Sequence, residues 1–492
     1  MAFIDGTVVN VALPALQKDL HASIADAQWI VEAYALLLAA LLLVGGAAGD
    51  RYGRRRVFLL GVVLFAAASV CCGLAGSARE LIVARAGQGI GAALLVPGSL
   101  SIIGASFNER ERGKAIGLWS GATAITGALG PVLGGWLIDQ WSWRAAFFIN
   151  VPLAAAVLVV SLRHVPESRN LQARRLDWPG AVLVTLGLAG VVYGLIESSS
   201  QGWTHAGVLA ALFLGVLLLA GFAIAEFREA APMIPPRLFR SKTFLGANLL
   251  TLLLYAPLGG ALFFFPLNLI QVQGYSATAA GAVFLPFILL MAFLSRWSGG
   301  LVDRYGAKLP LVVGPLVAAV GFALFAVPSV GGSYWLTFFP AIVVLGLGMA
   351  VSVAPLTTVV MNSVSAAFEG AASGINNAAS RVAVVVAIAL FGVIFALTFN
   401  QNLDRNLARV QAPPAIVEAV EQQRNKLAAI ELPADIDENV KAAARHAIVD
   451  AFIVSFRLIM IIAALLAAAS AVIAWALIES TGRRGARPAI VA

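Results

Sequence analysis

Charged residues are scarce in this sequence. They make up 12% of its 492 residues, whereas a soluble domain carries about 25%. Apolar residues reach 60%, and no stretch has the composition of a soluble domain. This scarcity of charge argues against a water-soluble globular protein and favours a chain that lies mostly within a lipid bilayer.

Cysteine and histidine are also scarce. The two cysteines, Cys71 and Cys72, are adjacent in one apolar run, so they provide neither a disulfide framework nor a metal site. The four histidines lie near the ends of apolar runs or in loops, at His21, His164, His205 and His446. Because a membrane enzyme needs a metal or nucleophile cluster, we expect a protein that is not an enzyme and holds no metal or cofactor.

Long apolar runs are what the sequence has instead. A run of about 20 apolar residues is long enough to cross a bilayer as a helix. Fourteen such runs lie at residues 1–17, 29–49, 57–77, 80–104, 115–138, 145–162, 178–196, 206–225, 244–270, 277–301, 309–328, 335–362, 374–399 and 450–478. The sequence therefore predicts an all-α polytopic membrane protein with fourteen transmembrane helices.

The lysines and arginines indicate how these helices are oriented. Fourteen spans place both termini on one side, and the loops on that side hold most of the basic residues. They include Arg51, Arg54, Arg55, Arg56, Arg163, Arg174, Arg175, Arg237, Arg240, Lys242 and Arg483. The short loops on the other side hold Lys18, Arg79 and Arg144. The positive-inside rule then makes both termini cytoplasmic, so the net charge of +8 reports topology and argues against a nucleic-acid partner.

Two regions depart from this pattern. Residues 1–16 cover about 24 Å as a helix, less than the bilayer core of about 30 Å, so either the start lies upstream or neighbouring helices hold this span. Residues 400–449 are polar and fall on the predicted outer side. Helical patterns there run over 416–430 and from 436 to 446. We predict a helical hairpin over the outer mouth, with a solvated linker as the alternative.

A charged turn occurs twice in the sequence. The segment GAAGDRYGRRR at residues 46–56 returns 253 residues later as GGLVDRYGAK at residues 299–308, and each copy joins two apolar spans. Such a repeat indicates two homologous helical halves, as in many secondary transporters. The candidate residues for a cytoplasmic gate are Gly46, Asp50, Arg51, Gly53, Arg54, Arg55, Asp303 and Arg304.

The first copy of this turn suggests how such a gate works. Asp50 is expected to cap the N-terminus of a neighbouring helix, where the helix dipole favours an anion. The arginines that follow it can pair with Glu109 and Glu111 in the next inner loop and hold the gate closed in one state. Topological anchoring by positive charge is the simpler interpretation, and the two are compatible.

Charges inside membrane spans are candidates for function because they are costly in lipid. Asp5 lies about 18 Å from the outer end of its helix, near mid-membrane, where a carboxyl group is easily neutralised. Proton coupling needs a group that gains or loses a proton according to the side it faces. The alternative is a helix-start residue that is solvated at the cytoplasmic surface.

Three further charges lie within predicted spans. Glu32, about one turn below the outer surface, is either a second protonatable group or a hydrated interfacial residue. Arg85 stays charged, so within a bundle it needs an anion or carbonyl groups. It serves proton coupling or forms a static pair with Asp5 or Glu32. Arg381 binds either substrate or an internal partner.

The fifth span contains an ordered GPxxGG pattern. Its residues are Gly130, Pro131, Gly134 and Gly135. Proline frees a backbone carbonyl and bends a helix, while glycines flatten one helix face. This pattern predicts a span that packs tightly and flexes near its outer end.

These segments together resemble the major facilitator superfamily, and within it the fourteen-helix drug:proton antiporter family. Residues 5–14 resemble that family's first-helix motif, 46–55 the superfamily's inner-loop motif, 81–91 the fourth-helix motif and 117–135 the antiporter motif, and residues 143–152 and 274–276 also match family patterns. The resemblance implies a rocker-switch carrier with a central cavity.

The resemblance assigns roles and divides the chain. It makes Asp5 and Arg85 proton-coupling residues, the turn around Asp50 a cytoplasmic gate, and GPxxGG an antiport element. Glu32 stands where the family is often uncharged, which adds a proton site or a preference for cations. The implied parts are an N-terminal six-helix bundle at 1–163, a linker with two additional helices at 164–243, a C-terminal six-helix bundle at 244–478 and a cytoplasmic tail at 479–492.

We therefore predict a proton-coupled antiporter in the cytoplasmic membrane that exports lipophilic, including cationic, drugs or toxic compounds. An exporter of a lipid or of one endogenous metabolite is the alternative on the same fold. The expected partners are small lipophilic substrates, protons and the bilayer. The resemblance also allows a periplasmic adaptor protein and implies a functional monomer.

The substrate cavity has polar and aromatic candidates. The polar candidates and tyrosine are Tyr34, Asn268, Asn376, Asn377 and Arg381. Trp29, Trp119 and phenylalanines 263–265 either line an apolar cavity suited to amphipathic compounds or serve as anchors and packing residues.

Overall fold

The computed structural model describes residues 1–107, 109–169, 177–229, 232, 234–365, 368–433 and 435–479. Throughout these residues the regular structure is helical, and twelve helices are long and apolar enough to cross a membrane. The prediction of an all-α, multi-pass membrane protein is confirmed. Most of the predicted cytoplasmic tail, 479–492, lies outside the described residues.

Eighteen α-helices lie in the described residues. The first nine are α1 (Ala2–Asp19), α2 (Ile24–Tyr52), α3 (Arg54–Leu74), α4 (Ala78–Ser106), α5 (Glu109–Gln140), α6 (Ala145–Phe148), α7 (Asn150–His164), α8 (Trp178–Gln201) and α9 (Ala206–Arg228). The other nine are α10 (Lys242–Leu267), α11 (Ala277–Ala282), α12 (Leu285–Gly299), α13 (Leu301–Tyr305), α14 (Lys308–Phe325), α15 (Tyr334–Asn362), α16 (Glu369–Arg409), α17 (Pro414–Gln423) and α18 (Glu438–Leu477).

The twelve candidate spans do not include α1 or α5. Helix α1 has 18 residues and carries three charges, at Asp5, Lys18 and Asp19. Counting α1 and α5 as spans gives the predicted fourteen. That total and the cytoplasmic position of the termini remain predictions.

The helices pack as two sets. In the N-terminal set, α2 and α3 pack on α4, α1 packs on α5 and α3 packs on α7. In the C-terminal set, α10 packs on α16 and α18, and α14 packs on α15 and α18. The sets meet where α2 contacts α16 and where α5 contacts α11, and the α8–α9 pair covers the α2–α16 contact through α8.

Two ends of this helix assembly matter for function. The Asp50 end carries the turn between α2 and α3, and the Asp19 end carries the turn between α1 and α2. At the Asp50 end the repeated turns share a backbone feature: Gly53 has φ of 115° and Gly306 has φ of 79°. Since residues with side chains rarely adopt such angles, glycine is needed at this point of both copies.

The polar region 400–449 differs in form from the predicted hairpin. Helix α16 continues to Arg409 and α18 already begins at Glu438, so both membrane helices extend into this region. In the described residues between them, the short helical pieces are α17 and a 3₁₀ segment, Arg424–Ala429. The 3₁₀ segment contacts α1 and α2 as well as α16 and α18. The region therefore lies against both sets at the Asp19 end.

The short first helix is held by its neighbours. Side chains along α1, including Val8, Ala12 and Leu16, are at most 1% exposed. The helix packs against α5, and it also contacts α10 and α2. This burial compensates for a length of 18 residues, shorter than the roughly 20 that a span needs.

Candidate functional site

Asp5 and Arg85 form an ion pair in the interior of the N-terminal set. Arg85 Nη1 donates a hydrogen bond to Asp5 Oδ2, and both side chains are at most 1% exposed. Helix α1 supplies the aspartate and α4 supplies the arginine. The structure thus brings together two of the three predicted proton-coupling residues. Asp5 belongs to the first turn of α1, but its carboxyl group is buried among the helices of the N-terminal set.

Neutral polar side chains surround this pair. Gln88 Nε2 donates to Asp5 Oδ1 at 2.9 Å, and Asn150 Nδ2 donates to the same oxygen at 3.2 Å. Both amides also donate to Ser69 Oγ, at 3.1 and 3.0 Å. Gln88, Asn150 and Ser69 are all completely buried. Three helices, α3, α4 and α7, therefore provide a polar ring around a carboxylate on α1.

Arg85 is held by further groups besides the carboxylate. Its Nε donates to the carbonyl oxygen of Ile30 at 3.0 Å, and its guanidinium carbon lies 4.3 Å from the ring centroid of Tyr34. Removing one partner of a buried pair leaves an uncompensated charge, which typically costs about 3–5 kcal/mol. The pair is thus stable as long as both charges are present.

Sequence reasoning missed the role of the polar ring. Gln88 and Asn150 lie within segments that carry the family resemblance, but neither is charged, and Ser69 lies in an apolar run without any motif. An uncharged polar residue inside a membrane span is a weak signal on its own because serine and asparagine also bond within their own helix. Their convergence on one carboxylate is visible only in the fold.

Glu32 lies at a different place. Its side chain is completely buried, and neither carboxyl oxygen has a hydrogen-bond partner within the described part of the chain. It lies one helical turn from Gln28, whose Nε2 donates to the carbonyl oxygen of Ile388 on α16 at 2.8 Å. The structure therefore separates Glu32 from the Asp5–Arg85 pair and places it where the two sets meet.

An acid that was not predicted, Glu167, takes part in the turn at the Asp50 end. Asp50 Oδ1 accepts a hydrogen bond from Arg54 Nε at 2.9 Å. Glu167 caps α3, accepting from the backbone nitrogens of Arg55 and Arg56 at 3.1 and 3.2 Å. Thus Glu167 takes the helix-capping position expected for Asp50, and it comes from the segment after α7.

The predicted acid partners of this turn are not settled by these contacts. The side chain of Glu109 is not among the side chains that the structure describes, and pairing with Glu111 stays a prediction.

The second copy of the charged turn repeats one contact of the first. Arg51 lies over the ring of Tyr52 at 5.8 Å, and Arg304 lies over the ring of Tyr305 at 5.2 Å.

The GPxxGG residues lie on two adjacent faces of α5. A Cβ atom at Gly130 would lie 2.1 Å from Thr7 Oγ1, and one at Gly134 would lie 2.6 Å from Val8 Cγ1, so these two glycines face α1. A Cβ atom at Gly135 would lie 2.3 Å from the carbonyl oxygen of Ala277, so this glycine faces α11. The motif lets α5 approach both helix backbones closely.

A glycine of α11 also allows close approach to the backbone of α5. A Cβ atom at Gly281 would lie 2.1 Å from the carbonyl oxygen of Pro131. One turn beyond Gly135, Asp139 accepts hydrogen bonds from the backbone nitrogens of Ala277 and Thr278 at 3.1 and 2.8 Å. The residues of α5 at 131, 135 and 139 thus form one strip, the α5–α11 seam, that joins the two sets at the Asp19 end.

The α1–α2 turn is tied to the end of α5 as well. Asp19 Oδ2 accepts a hydrogen bond from Trp143 Nε1 at 2.8 Å. The same oxygen forms an ion pair with Arg144 Nη1 at 2.7 Å. The hydrogen bonds from Trp143 and Arg144 lower the pKa of Asp19. This carboxylate therefore fixes the turn between α1 and α2 at the same end as the seam.

Replacing Asp139 by asparagine is expected to weaken the α5–α11 seam. Asparagine removes the negative charge at the N-terminus of α11, an effect of about 0.3–1 kcal/mol, and the fraction of molecules with the seam open should rise about two- to fivefold. Spin labels on Gln140→Cys and Ala279→Cys, with Cys71→Ser, report the separation by pulsed EPR. Glu418→Gln removes an exposed carboxyl of α17 and is the control. An unchanged distance distribution would show that the glycines alone hold the seam.

The predicted aromatic cavity residues serve mainly in packing. Phe264 stacks on Phe395 at 4.7 Å, and phenylalanines 263–265 are at most 2% exposed in the core of the C-terminal set. Trp29 Nε1 donates to Glu197 of α8 at 3.3 Å. Trp119 makes an edge contact with Phe3 at 6.4 Å.

The polar cavity candidates separate into three places. Tyr34 belongs to the Asp5–Arg85 site, where its hydroxyl donates to the carbonyl oxygen of Ala2 at 3.2 Å. Asn268 is buried at the far end of α10, toward the Asp19 end. Asn376, Asn377 and Arg381 lie together on α16.

Asn376 connects α16 to α10. Its Nδ2 donates to Asn248 Oδ1 at 3.2 Å and to Thr251 Oγ1 at 2.6 Å. Asn377 is exposed and donates to the carbonyl oxygen of Ser373 in its own helix at 3.0 Å. Among the side chains that the structure describes, no group of three or more His, Cys, Asp or Glu residues could hold a metal ion.

Comparison with known proteins addresses the whole arrangement. A family model described as Major Facilitator Superfamily matches residues 1–388. The multidrug resistance protein Stp of Mycobacterium tuberculosis (strain CDC 1551 / Oshkosh) is 36% identical over 384 residues, which cover 77% of this chain and 70% of Stp. The tetracenomycin C resistance and export protein of Streptomyces glaucescens is 37% identical over 386 residues, which cover 78% of this chain and 71% of that protein.

A solved structure shares the fold. The crystal structure of a bacterial homologue of the human lysosomal transporter Spinster, in an inward-facing and occupied conformation, superimposes with a TM-score of 0.62 and 20% identity. The match covers 96% of this chain and 93% of that one. The family model, the sequence relatives and this fold all agree with the resemblance seen in the motifs, and the chain belongs to the major facilitator superfamily.

Proposed function

We propose that this protein is a drug efflux transporter that exchanges lipophilic compounds for protons across the cytoplasmic membrane by alternating access. The relatives named above are a multidrug resistance protein and a resistance and export protein, which supports export of drugs or antibiotics. The observation that carries the proton coupling is the buried Asp5–Arg85 pair. Burying two ionisable side chains in a helical membrane bundle costs free energy, so such a pair usually marks a functional site.

The geometry supports a specific cycle. In the structure the carboxyl group of Asp5 accepts hydrogen bonds from Arg85, Gln88 and Asn150, a set of donors that suits a carboxylate. A proton on Asp5 would remove the ionic attraction to Arg85 and turn one carboxyl oxygen into a donor, so the hydrogen bonds that this oxygen now accepts would have to rearrange. Protonation therefore favours a different arrangement of α1 against α4, and this change is what couples proton movement to the alternation of the bundles.

The parts of the chain take the following roles in this proposal. The N-terminal bundle covers 1–163, the linker with two additional helices 164–243 and the C-terminal bundle 244–478, with both termini cytoplasmic. The Asp50 turn then forms the cytoplasmic gate and the α5–α11 seam closes the outer side. Action as a monomer and association with a periplasmic adaptor remain predictions.

Substrate-triggered proton release in liposomes tests the proposal. Purified protein is reconstituted with a pH-sensitive dye inside, a pH gradient is set, and lipophilic dyes and drugs are added one at a time. We expect substrates to change the internal pH at a rate that depends on the gradient, because antiport links the two fluxes. Empty liposomes and an Asp5→Asn sample are the controls. No response to any compound by folded protein would contradict drug:proton exchange and favour the alternative of a lipid or dedicated metabolite exporter.

A further inference from the structure

Arg381 lies on the strip of α16 between the contacts of this helix with α10 and its contacts with α2. On one side of this strip, Asn376 bonds to Asn248 and Thr251 of α10. On the other side, Gly374 lies against Leu43 of α2. Asn377 and Arg381 are one helical turn apart and fall between these two faces. Their side chains therefore project from the face of α16 that packs against neither α2 nor α10.

The neighbouring turns of α16 confirm this placement. Val384 lies against Gly259 of α10, and the carbonyl oxygen of Ile388 accepts the hydrogen bond from Gln28 of α2. Arg381 is also close enough to Tyr34 of α2 for the charge of an ionised phenol there to affect it. The guanidinium thus lies on the side of α16 that faces the N-terminal set, where the ring of Tyr34 also contacts Arg85.

The guanidinium of Arg381 has no ion-pair or hydrogen-bond partner among the described residues. The side chain is partly buried, and its nitrogens are not among the fully enclosed atoms that lack a partner, so they border open space. Arg85 differs in this respect because the carboxylate of Asp5 and the carbonyl of Ile30 satisfy it. A half-buried arginine without a counter-ion is a costly arrangement that a negatively charged ligand would relieve.

The charge available to a substrate is therefore positive. The cation preference that Glu32 suggested requires a carboxylate that a ligand can reach, but the Glu32 side chain is completely buried where α2 faces α16. The guanidinium of Arg381 does border open space, and Asn377 beside it is an exposed neutral amide. A planar guanidinium forms two parallel hydrogen bonds with a carboxylate or sulfonate, which gives geometric as well as electrostatic selectivity.

We propose that Arg381 is the charge-recognition residue of the substrate site and selects lipophilic compounds that carry a carboxylate, a sulfonate or another anionic group. This inference rests on the proposed function and names the substrate class of the same transporter. It also fits the energetics of exchange: in a cell with a negative interior, outward movement of an anion and inward movement of a proton are both driven by the membrane potential.

Two fluorescent probes that differ by one anionic group test this inference by binding alone. 8-Anilinonaphthalene-1-sulfonate carries a sulfonate, and N-phenyl-1-naphthylamine is its neutral counterpart. Each is titrated against purified wild-type, Arg381→Gln and Arg381→Lys protein. We expect Arg381→Gln to raise the Kd of the sulfonate about tenfold or more, the effect of losing a charge-assisted hydrogen bond. The Kd of the neutral probe should stay within about twofold, and Arg381→Lys should lie between.

Matched variants separate recognition from structure. Arg409→Gln neutralises an exposed arginine of the same helix beyond the membrane and should leave both Kd values unchanged. Equal binding of the sulfonate by wild-type and Arg381→Gln protein, or no saturable sulfonate binding by the wild type, would overturn the proposal. If Arg381→Gln weakens both probes alike and Glu32→Gln restores them, Arg381 has an internal partner instead, which also overturns it. The liposome assay tests proton exchange independently, so the two proposals fail separately.

Discussion

Asp5→Asn is expected to abolish export against a concentration gradient. Asparagine has nearly the shape of aspartate and can still accept a hydrogen bond from Arg85, but it cannot gain or lose a proton. The step that links proton movement to the rearrangement of α1 against α4 is then missing. Uphill export in the liposome assay should fall to the level of empty liposomes, while binding and downhill movement of substrate persist.

The control for this variant must separate coupling from folding. The single change leaves the charge of Arg85 buried without an anion, and a broken buried pair costs about 3–5 kcal/mol. The double variant Asp5→Asn with Arg85→Gln removes both charges and avoids this cost. We expect the double variant to be as stable in thermal unfolding as the wild type or close to it, and still unable to drive export uphill.

The opposite outcomes have clear meanings. Uphill export that is unchanged in Asp5→Asn would remove this residue from the mechanism. Coupling would then have to depend on Glu32, the other completely buried carboxyl group among the described side chains. Loss of uphill export in the single variant together with its recovery in the double variant would make the pair a structural element, because only the unpaired arginine would then be harmful.

The sequence predicted the charged part of this site for a physical reason. Asp5 and Arg85 are isolated charges in long apolar runs, and an isolated charge in a bilayer is costly enough to be noticed without any fold. The neutral residues that complete the site, Gln88, Asn150 and Ser69, can bond within their own helix at little cost, so their residue types alone do not predict a role at Asp5. Their positions depend on how α3, α4 and α7 pack, which local patterns do not determine.

At the proposed gates, too, the sequence predicts some features and the assembled fold is needed for others. The glycine at the repeated charged turn was predictable because Gly53 and Gly306 meet a backbone requirement that is local to the turn. The capping of α3 by Glu167 was not, since that acid comes from more than 100 residues away in the sequence. Likewise GPxxGG indicated close packing, but which helices it meets, α1 on one face and α11 on the other, follows from the assembled fold.

The long polar region illustrates a limit of hydropathy. The apolar run of the thirteenth predicted span ends near residue 399, yet α16 continues as a helix to Arg409. A hydropathy scan locates the part of a helix that lies in lipid, whereas the helix itself ends where its backbone hydrogen bonding ends. The same reasoning explains why α18 begins at Glu438, before the predicted apolar span that starts at residue 450.

Gly281→Ala is expected to reduce export about tenfold or more by preventing closure of the α5–α11 seam. Its new Cβ atom would lie 2.1 Å from the carbonyl oxygen of Pro131, and a backbone atom cannot move aside cheaply. Overpacking of this kind costs about 1–3 kcal/mol, which corresponds to about 5- to 150-fold in the population of the closed seam. Gly135→Ala meets the carbonyl oxygen of Ala277 at 2.3 Å and should act in the same way.

Two further glycines of α5 provide graded controls. Among the described atoms, a Cβ at Gly127 meets nothing within 4 Å, so Gly127→Ala should leave export unchanged. Gly130→Ala meets the hydroxyl of Thr7, a side-chain atom that can rotate, and should have an intermediate effect. Export rates in liposomes and the label separation between positions 140 and 279 should change in parallel across the series. Equal export by Gly281→Ala and Gly127→Ala would show that the seam need not close for transport. A loss of export without a longer label separation would show that glycine serves another step, because the steric argument requires both to change together.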